Sequence, residues 1–287
     1  MPAYTAHMTK QLNLDEKDEA LRVRLAALDT ALVAYSGGTD SAFLAWAAHR
    51  VLGPRMLAVL ADSPSLPRQE LKSAISFAEE KQIPLKIVAT EEMERPEYIR
   101  NDAARCFHCK DELFRVMERE RSALGFQNIA YGMNVDDHGD FRPGQRAAQL
   151  HNVVAPLAEV GLTKDEIRQL ARRAGLQLWD KPASACLSSR IEYGRPVTRE
   201  ALNAVEAGEM ALRELGFRQF RVRHHGNLVR IEIASEESGL AFAPDMAREL
   251  VPIFKKLGFE YVTLDCEGYR SGSMNAVLRI DEIGRSI

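Results

Sequence analysis

Nothing in the sequence offers a membrane span: no apolar run is long enough to cross a bilayer. Met1 to Gln11 lacks the basic-then-apolar layout of a secretory signal, so the chain reads as cytoplasmic. Cysteine is scarce, with four in 287 residues. In a reducing compartment these are ligands, reactive thiols or buried packing residues rather than disulfide partners. An excess of positive charge is missing too. The net charge of -3 argues against a broad nucleic-acid-binding face, while permitting a local basic pocket. There is no internal repeat and no low-complexity tract. Two common nucleotide fingerprints are also absent: no glycine loop ends in Gly-Lys-Ser/Thr, and there is no Gly-x-Gly-x-x-Gly.

What is present is organised around Ala31 to Ser41. The apolar run Ala31 to Tyr35 has the length and composition of a buried parallel strand. It breaks at Ser36-Gly37-Gly38, and a helical pattern begins near Ser41. Strand, glycine turn and helix N-terminus together present backbone N–H groups and a positive helix end to an anion. Ser36, Thr39 and Ser41 add hydroxyl donors, and Asp40 can cap the helix or hold a metal ion. The form Ser-Gly-Gly-Thr-Asp-Ser resembles the PP-loop of ATP pyrophosphatases, which implies ATP binding through its pyrophosphate.

Strands and helices alternate from there. Met56 to Ala61, Leu85 to Ala89, Asn128 to Met133 and Val153 to Ala155 read as further strands. Helices are predicted over Leu12 to Leu28, Pro67 to Lys81 and Arg105 to Leu124, and from Thr163, which has a capping box with Glu166. This order predicts an α/β fold with a doubly wound parallel sheet and ligands at the carboxyl ends of its strands. After Trp179 a loop-like stretch leads to a helix over Thr198 to Leu215. A hairpin about His225-Gly226-Asn227, a helix over Ala243 to Leu257 and a last strand at Tyr261 to Leu264 follow. The expected division is therefore 1–194, the nucleotide domain, and 195–287, a smaller α+β domain for substrate binding or oligomerisation.

Several side chains carry chemistry. Cys186 is followed by Ser188, Ser189 and Arg190, donors that lower a thiol's pKa; a buried packing role is the alternative. Cys106 and Cys109 form a C-x-x-C at a helix start, suited to a metal, a cluster or a redox pair. No second pair completes a zinc site, and Cys266, beside Asp265 and Glu267, reads as structural. Three cysteines would leave a cubane cluster with one open iron able to bind an extra sulfide. Arg221 and Arg223 share one strand face and would fork onto a phosphate, or else line a solvated face. Arg270 lies among glycines in a similar role. Lys164 and Arg168 either reach the pyrophosphate of ATP or pair with Asp165 and Glu166. Asp136, Asp137 and Asp140 either gather Mg²⁺ or form a solvated acidic loop, and Glu206 and Glu209 read as surface carboxylates.

The combination is more specific than its parts. The PP-loop, Arg105-Cys106-Phe107-His108-Cys109-Lys110, Gly132 to Asp137, Arg142-Pro143-Gly144, Pro156 to Glu159, Pro182 to Arg190 and Gly268 to Asn275 occur in that order. Together they resemble the LarE-type sulfur transferases of nickel-pincer nucleotide synthesis, from about Leu28 to Asn275, with Pro182 to Arg190 the most discriminating piece. The resemblance implies a PP-loop ATP pyrophosphatase fold of the adenine nucleotide alpha hydrolase type. It implies adenylation of the carboxylates of pyridinium-3,5-biscarboxylic acid mononucleotide with ATP and Mg²⁺, then conversion to thiocarboxylates, serving lactate racemase maturation. The family's phosphate contacts match Lys110, Ser189, Arg190, Arg221 and Arg223, and its hexamer is expected here. In one form of the family the cysteine matching Cys186 gives up its own sulfur. In another, the cysteines matching Cys106, Cys109 and Cys186 hold a 4Fe-4S cluster; both extra cysteines being present favours this second form. A PP-loop tRNA thiolase is the competing reading, with net acidity against it. An ammonia-dependent amide synthetase would leave the cysteines without a task, and a non-catalytic nucleotide sensor would bind ATP without releasing pyrophosphate.

Overall fold

The structure, a computed structural model, describes residues 12–139, 143–181, 186–270 and 274. Asp140, Arg142, Pro182 to Ala185, Ser271 to Ser273 and Asn275, all named above, lie outside the described residues.

Four parallel strands form the larger sheet: β1 (Ala31–Ala34), β2 (Met56–Asp62), β3 (Leu85–Ala89) and β4 (Asn128–Tyr131), in the order β3-β2-β1-β4. β1 pairs with β2 from Ala31↔Met56 and with β4 from Ala31↔Asn128. Its four residues are all buried because helices cover both faces. Ala31 and Val33 share a core with α1 (Leu14–Ala26), α2 (Thr39–Leu52), α3 (Arg68–Glu80) and α8 (Lys164–Arg173), whereas Leu32 and Ala34 share another with Phe114 and Met117 of α5 (Arg105–Leu124) and Ala147 and Ala148 of α6 (Pro143–Leu150). That split follows from the two-residue period of a strand. Short helices α4 (Pro96–Ile99) and α7 (Pro156–Glu159) complete this part. The strand order reverses between β1 and β4, so the crevice at their carboxyl ends is the ligand position for such a sheet.

One predicted strand is reduced to a point. Val153 to Ala155 makes a single parallel bridge, Ala130↔Val154, with Val154 N–H donating to Ile129 O and Tyr131 N–H to Val154 O. Asn152 just before it has φ 51°, and Pro156 just after it opens α7, so the extended stretch cannot lengthen. β4 likewise stops at Tyr131, two residues short of Met133, where Gly132 packs against α2.

The second sheet has the order β5-β6-β7, with β5 (Phe220–His225) antiparallel to β6 (Leu228–Ile233) and β7 (Tyr261–Leu264) parallel to β6. The return from β6 to β7 runs through α10 (Ser238–Ala241) and α11 (Pro244–Lys256). α9 (Arg199–Glu214) and α11 cover the sheet through Val205, Leu212, Leu250 and Phe254. The same core takes in Tyr98, Leu187 and Ile191, so the stretch around Cys186 is packed under the small sheet.

Candidate active site

The loop after β1 is built for close backbone approach. Gly37 has φ 74°, and a Cβ there would lie 2.6 Å from the Ala74 Cβ. Gly38 is the N-cap of α2, leaving the helix's first N–H groups open to an anion. The hydroxyls of this loop brace it more than they face outward. Ser41 Oγ accepts from Ser36 N–H at 3.2 Å, lies 3.0 Å from Ser36 Oγ and donates to Gly38 O at 3.1 Å. Thr39 Oγ1 donates to Leu178 O at 3.0 Å, and Lys181 Nζ donates to Gly37 O at 3.0 Å while pairing with Glu70 at 2.6 Å. Gly132, at the end of β4, has room for no side chain: its Cβ would fall 2.8 Å from the Ser41 nitrogen.

Acidic and basic groups converge beside this loop. Asp40 accepts from Asn134 Nδ2 at 3.1 Å. Burial first, and then the charge of Asp137, raise its pKa, against the lowering effects of Lys164, Asn134 and Arg168. Lys164 pairs with Asp137 at 3.1 Å, and its N–H donates to Asp136 Oδ2 at 2.7 Å. Glu166, a suggested partner of Lys164, instead binds Lys17 at 2.8 Å. Lys110 passes over the rings of Tyr131 and Phe114, and its Cγ would lie 2.9 Å from a Cβ on Gly144.

The cysteines lie next to this crevice. Cys106 and Cys109 occupy the first turn of α5; Cys106 is exposed, and Cys109 and Cys186 are half-buried. Leu187 N–H donates to Ser65 O at 2.8 Å, which fixes the Cys186 segment to the loop leaving β2. Burial pushes the Cys186 thiol up, but the Arg105 guanidinium, the Ser188 hydroxyl, the Ser189 N–H and Arg190 together hold it below the ordinary thiol range. Ser188 Oγ is 3.6 Å from Cys186 Sγ. Burial pushes Cys109 the other way, well above that range, with Cys186, Glu92 and Cys106 adding to it. Arg105 is itself buried and donates to Asn101 Oδ1 at 2.6 Å, to Ser188 O at 2.8 Å and to Cys106 Sγ at 3.8 Å. Among the described residues no group of three His, Cys, Asp or Glu is placed to hold a metal ion.

A third group, of arginines, follows Cys186. Arg190 Nε donates to Glu209 Oε1 at 2.8 Å, and Nη1 to Ser189 Oγ at 2.8 Å. Arg223 Nη1 donates to Ser189 O at 3.2 Å and Nη2 to Glu232 Oε2 at 2.8 Å, while Arg221 stacks 4.8 Å from the Tyr269 ring centre. Burial, then Arg190, lower the Arg221 pKa, so the guanidinium groups crowd one place. Glu209 is not the surface carboxylate that its helix position suggests. Its side chain is 12% exposed and joins Arg190 to the Val222 N–H at 3.4 Å. Glu206 is likewise half-buried and accepts from the Arg68 N–H. Arg270 is exposed and paired with Glu267, next in sequence to the Tyr269 that Arg221 stacks on.

No family model matches the chain. Individual relatives do. A pyridinium-3,5-bisthiocarboxylic acid mononucleotide synthase of Lactiplantibacillus plantarum is 34% identical over 92% of this chain and 96% of its own length. The chain belongs to this synthase family, the LarE family. The uncharacterized protein slr1717 of Synechocystis sp. is 45% identical over 92% of the chain and 99% of its own length. GMP synthases are more distant: that of a Synechococcus strain is 26% identical over 72% of the chain, which spans 43% of that protein. They place this LarE-family chain in the PP-loop superfamily and accord with its parallel sheet and flanking helices. Arg105 and Tyr98 carry no site signal in the sequence beyond the adjacency of Arg105 to the C-x-x-C, whereas Ser188 is expected there as a donor to Cys186, which it follows by two residues.

Proposed function

We propose that the protein is an ATP-dependent sulfur transferase that adenylates the carboxylates of pyridinium-3,5-biscarboxylic acid mononucleotide and converts them to thiocarboxylates for nickel-pincer nucleotide synthesis. The observation that carries this reading is the position of Cys186. It is a cysteine held toward its anionic form, in a segment tied to the loop after β2 through the Leu187 N–H, and β2 pairs with β1, the strand that leads into the anion-binding loop. Ser36 to Ser41 and Lys164 take the pyrophosphate of ATP, and Asp40 and Asp137, both beside Lys164, are the carboxylates assigned to Mg²⁺. Lys110, Ser189, Arg190, Arg221, Arg223 and Arg270 are assigned to the phosphate of the substrate nucleotide. A substrate carboxylate oxygen attacks the α-phosphorus and pyrophosphate leaves; an anionic sulfur then attacks the acyl carbon and AMP leaves with the electron pair. A sulfide gives the thiocarboxylate directly, whereas the Cys186 thiolate gives a thioester that releases it by β-elimination: the Cα proton passes to a base, the Cβ–Sγ electron pair leaves with the sulfur, and dehydroalanine remains. In keeping with the family, the protein acts in the cytoplasm as a hexamer, with its domains divided near Gly194.

The donor set suits a 4Fe-4S cluster on Cys106, Cys109 and Cys186. It has three thiols from two elements, close enough for Cys186 and Cys106 both to raise the Cys109 pKa, with the Arg105 cation to balance negative charge. A cubane spreads its ligands more widely than a single ion does, so it does not need the tight triad that is absent among the described residues. Such a cluster would supply an exchangeable sulfide at its open iron. The test is iron and labile sulfide content of protein prepared without oxygen, read beside the mass of the Cys186 peptide after turnover with ATP and substrate. About four irons per chain, lost in Cys106→Ala, support the cluster form. No iron, with Cys186 lighter by one H₂S, makes it a single-use donor instead. Neither iron nor mass loss, with no thiocarboxylate formed, rejects the sulfur transferase.

A further inference from the structure

Beneath Cys186 lies a closed ring of three buried hydroxyls. Ser65, Tyr98 and Ser188 are 3%, 1% and 1% exposed. Tyr98 OH lies 2.7 Å from Ser188 Oγ, Ser188 Oγ lies 3.0 Å from Ser65 Oγ, and Ser65 Oγ is hydrogen-bonded to Tyr98 OH. From this ring Ser188 alone reaches the sulfur of Cys186, at 3.6 Å. The residues come from three separate places: the loop after β2, the short helix α4 and the turn at 187–190. Such convergence in a dry interior costs desolvation unless every hydroxyl is satisfied.

Hydrogen counting shows what the ring can do. Three hydroxyls carry three hydrogens, yet there are four contacts: the three edges of the ring and the one to sulfur. When Ser188 donates to sulfur, it accepts from Tyr98, and Ser65 donates to Tyr98. When the sulfur does not accept, Ser188 turns its hydrogen back to Ser65 and the ring closes. Every hydrogen is used in both arrangements, so changing between them leaves no buried donor orphaned. In the first arrangement the phenol hydroxyl of Tyr98 polarises Ser188 and strengthens its bond to sulfur.

We infer that Tyr98 is a positioning residue for sulfur transfer: acting through Ser188, it orients the hydrogen bond that the Ser188 hydroxyl gives to the sulfur of Cys186. The inference rests on Cys186 being the sulfur-handling cysteine. It applies equally to a free thiolate and to a cysteine ligand, because hydrogen bonds to sulfur tune both.

The test separates the two half-reactions. Pyrophosphate release reports adenylation and thiocarboxylate formation reports sulfur transfer, each followed in Tyr98→Phe, Ser188→Ala, their double variant and Cys186→Ala, with melting curves as the fold control. Thiocarboxylate formed per pyrophosphate released is expected to fall about tenfold in Ser188→Ala and roughly threefold in Tyr98→Phe. The double variant should be no worse than Ser188→Ala, because residues acting as one unit are not additive. Ser65→Ala, which opens the ring on its other side, should fall less than Ser188→Ala. A parental ratio in Tyr98→Phe, or losses that multiply in the double variant, overturns the inference. If Cys186→Ala still forms thiocarboxylate, the reading of Cys186 fails as well; if it forms none while Tyr98→Phe keeps the parental ratio, only the role of Tyr98 is lost.

Discussion

Replacing Arg105 with methionine keeps the aliphatic stem and removes the charge that opposes burial at Cys186. Arg105 makes two buried hydrogen bonds to oxygen, to Asn101 Oδ1 at 2.6 Å and Ser188 O at 2.8 Å. Leaving those acceptors unpaired costs about 1–3 kcal/mol each, so urea unfolding of Arg105→Met should show a loss of about 2–6 kcal/mol. The effect on chemistry is larger in proportion. Burial is the foremost influence on the Cys186 thiol and raises its pKa; Arg105 is foremost among those that lower it. A charged partner is worth about 1.5–3 kcal/mol, which corresponds to a thiolate population about ten- to a hundredfold smaller at neutral pH. The sign fixes the pH window. A thiol whose folded value is depressed keeps its thiolate as the pH falls, until that lowered value is crossed, so the variant should lose reactivity at a higher pH than the parent. The assay is the rate of iodoacetamide modification of reduced, metal-free protein, resolved by peptide so that Cys186 is read apart from Cys106, Cys109 and Cys266. Arg105→Lys, which keeps a charge but not the planar fork, should retain more reactivity than Arg105→Met at a similar cost in stability. If Arg105→Met remains folded and Cys186 reacts at the parental rate through neutral pH, Arg105 is not what makes this cysteine anionic.

Gly132→Ala sets a Cβ 2.8 Å from the Ser41 nitrogen and 2.9 Å from its Cα, so the backbone of the phosphate loop must move. It should lose about 1–3 kcal/mol in urea unfolding and most ATP-dependent pyrophosphate release; parental release would show that the loop tolerates displacement. Asp40 titrates above the ordinary carboxylate range, from burial and then from Asp137. The native chain therefore binds that proton more readily than the unfolded chain, and stability falls as the pH rises from the ordinary value through the raised one. At neutral pH the charged Asp40 is a liability, so Asp40→Asn should melt higher than the parent at pH about 7 while releasing pyrophosphate at least about tenfold more slowly. An equal or lower melting temperature there refutes the electrostatic account.

The parts legible in the sequence were those whose signal is local. Ala31 to Ser41 announced itself because a short apolar run, two glycines and a helical pattern sit within eleven residues, and the cap at Thr163 and the hairpin at Gly226 are equally compact. Val153 to Ala155 misled for the same local reason. Apolar composition said strand, and the backbone at Asn152 and Pro156 allowed one bridge. The helices at Pro96, Pro143 and Pro156 went unread because they are short and leave little periodicity behind a proline that starts as many loops as helices. Glu209 and Arg105 were illegible in another way. Each is a charged residue on a helix, and only long-range packing, against Arg190 in one case and Ser188 in the other, makes it part of a site.

The same long-range packing explains why sulfur and phosphate chemistry can share one crevice. β1 and β2 are locked in register from Ala31↔Met56 to Ala34↔Val59, so the strands that lead into the two loops lie one strand spacing apart, about 4.8 Å. The phosphate loop grows from β1, while Ser65, on the loop of β2, accepts the Leu187 N–H and so holds the segment that begins at Cys186. Lys181, on the near side of that segment, donates to the carbonyl of Gly37 inside the phosphate loop itself. In the proposed reaction, a carboxylate activated at the end of β1 needs no long excursion to meet the sulfur of a segment tied to the loop after β2, because the sheet fixes the two strands before either substrate binds. Orientation set in advance by a rigid scaffold is the part of catalysis that costs nothing at the moment of reaction. It also predicts where the assembly is fragile: changes that shift β2's loop, such as loss of Ser65 or Tyr98, should disturb transfer of sulfur more than activation of the carboxylate.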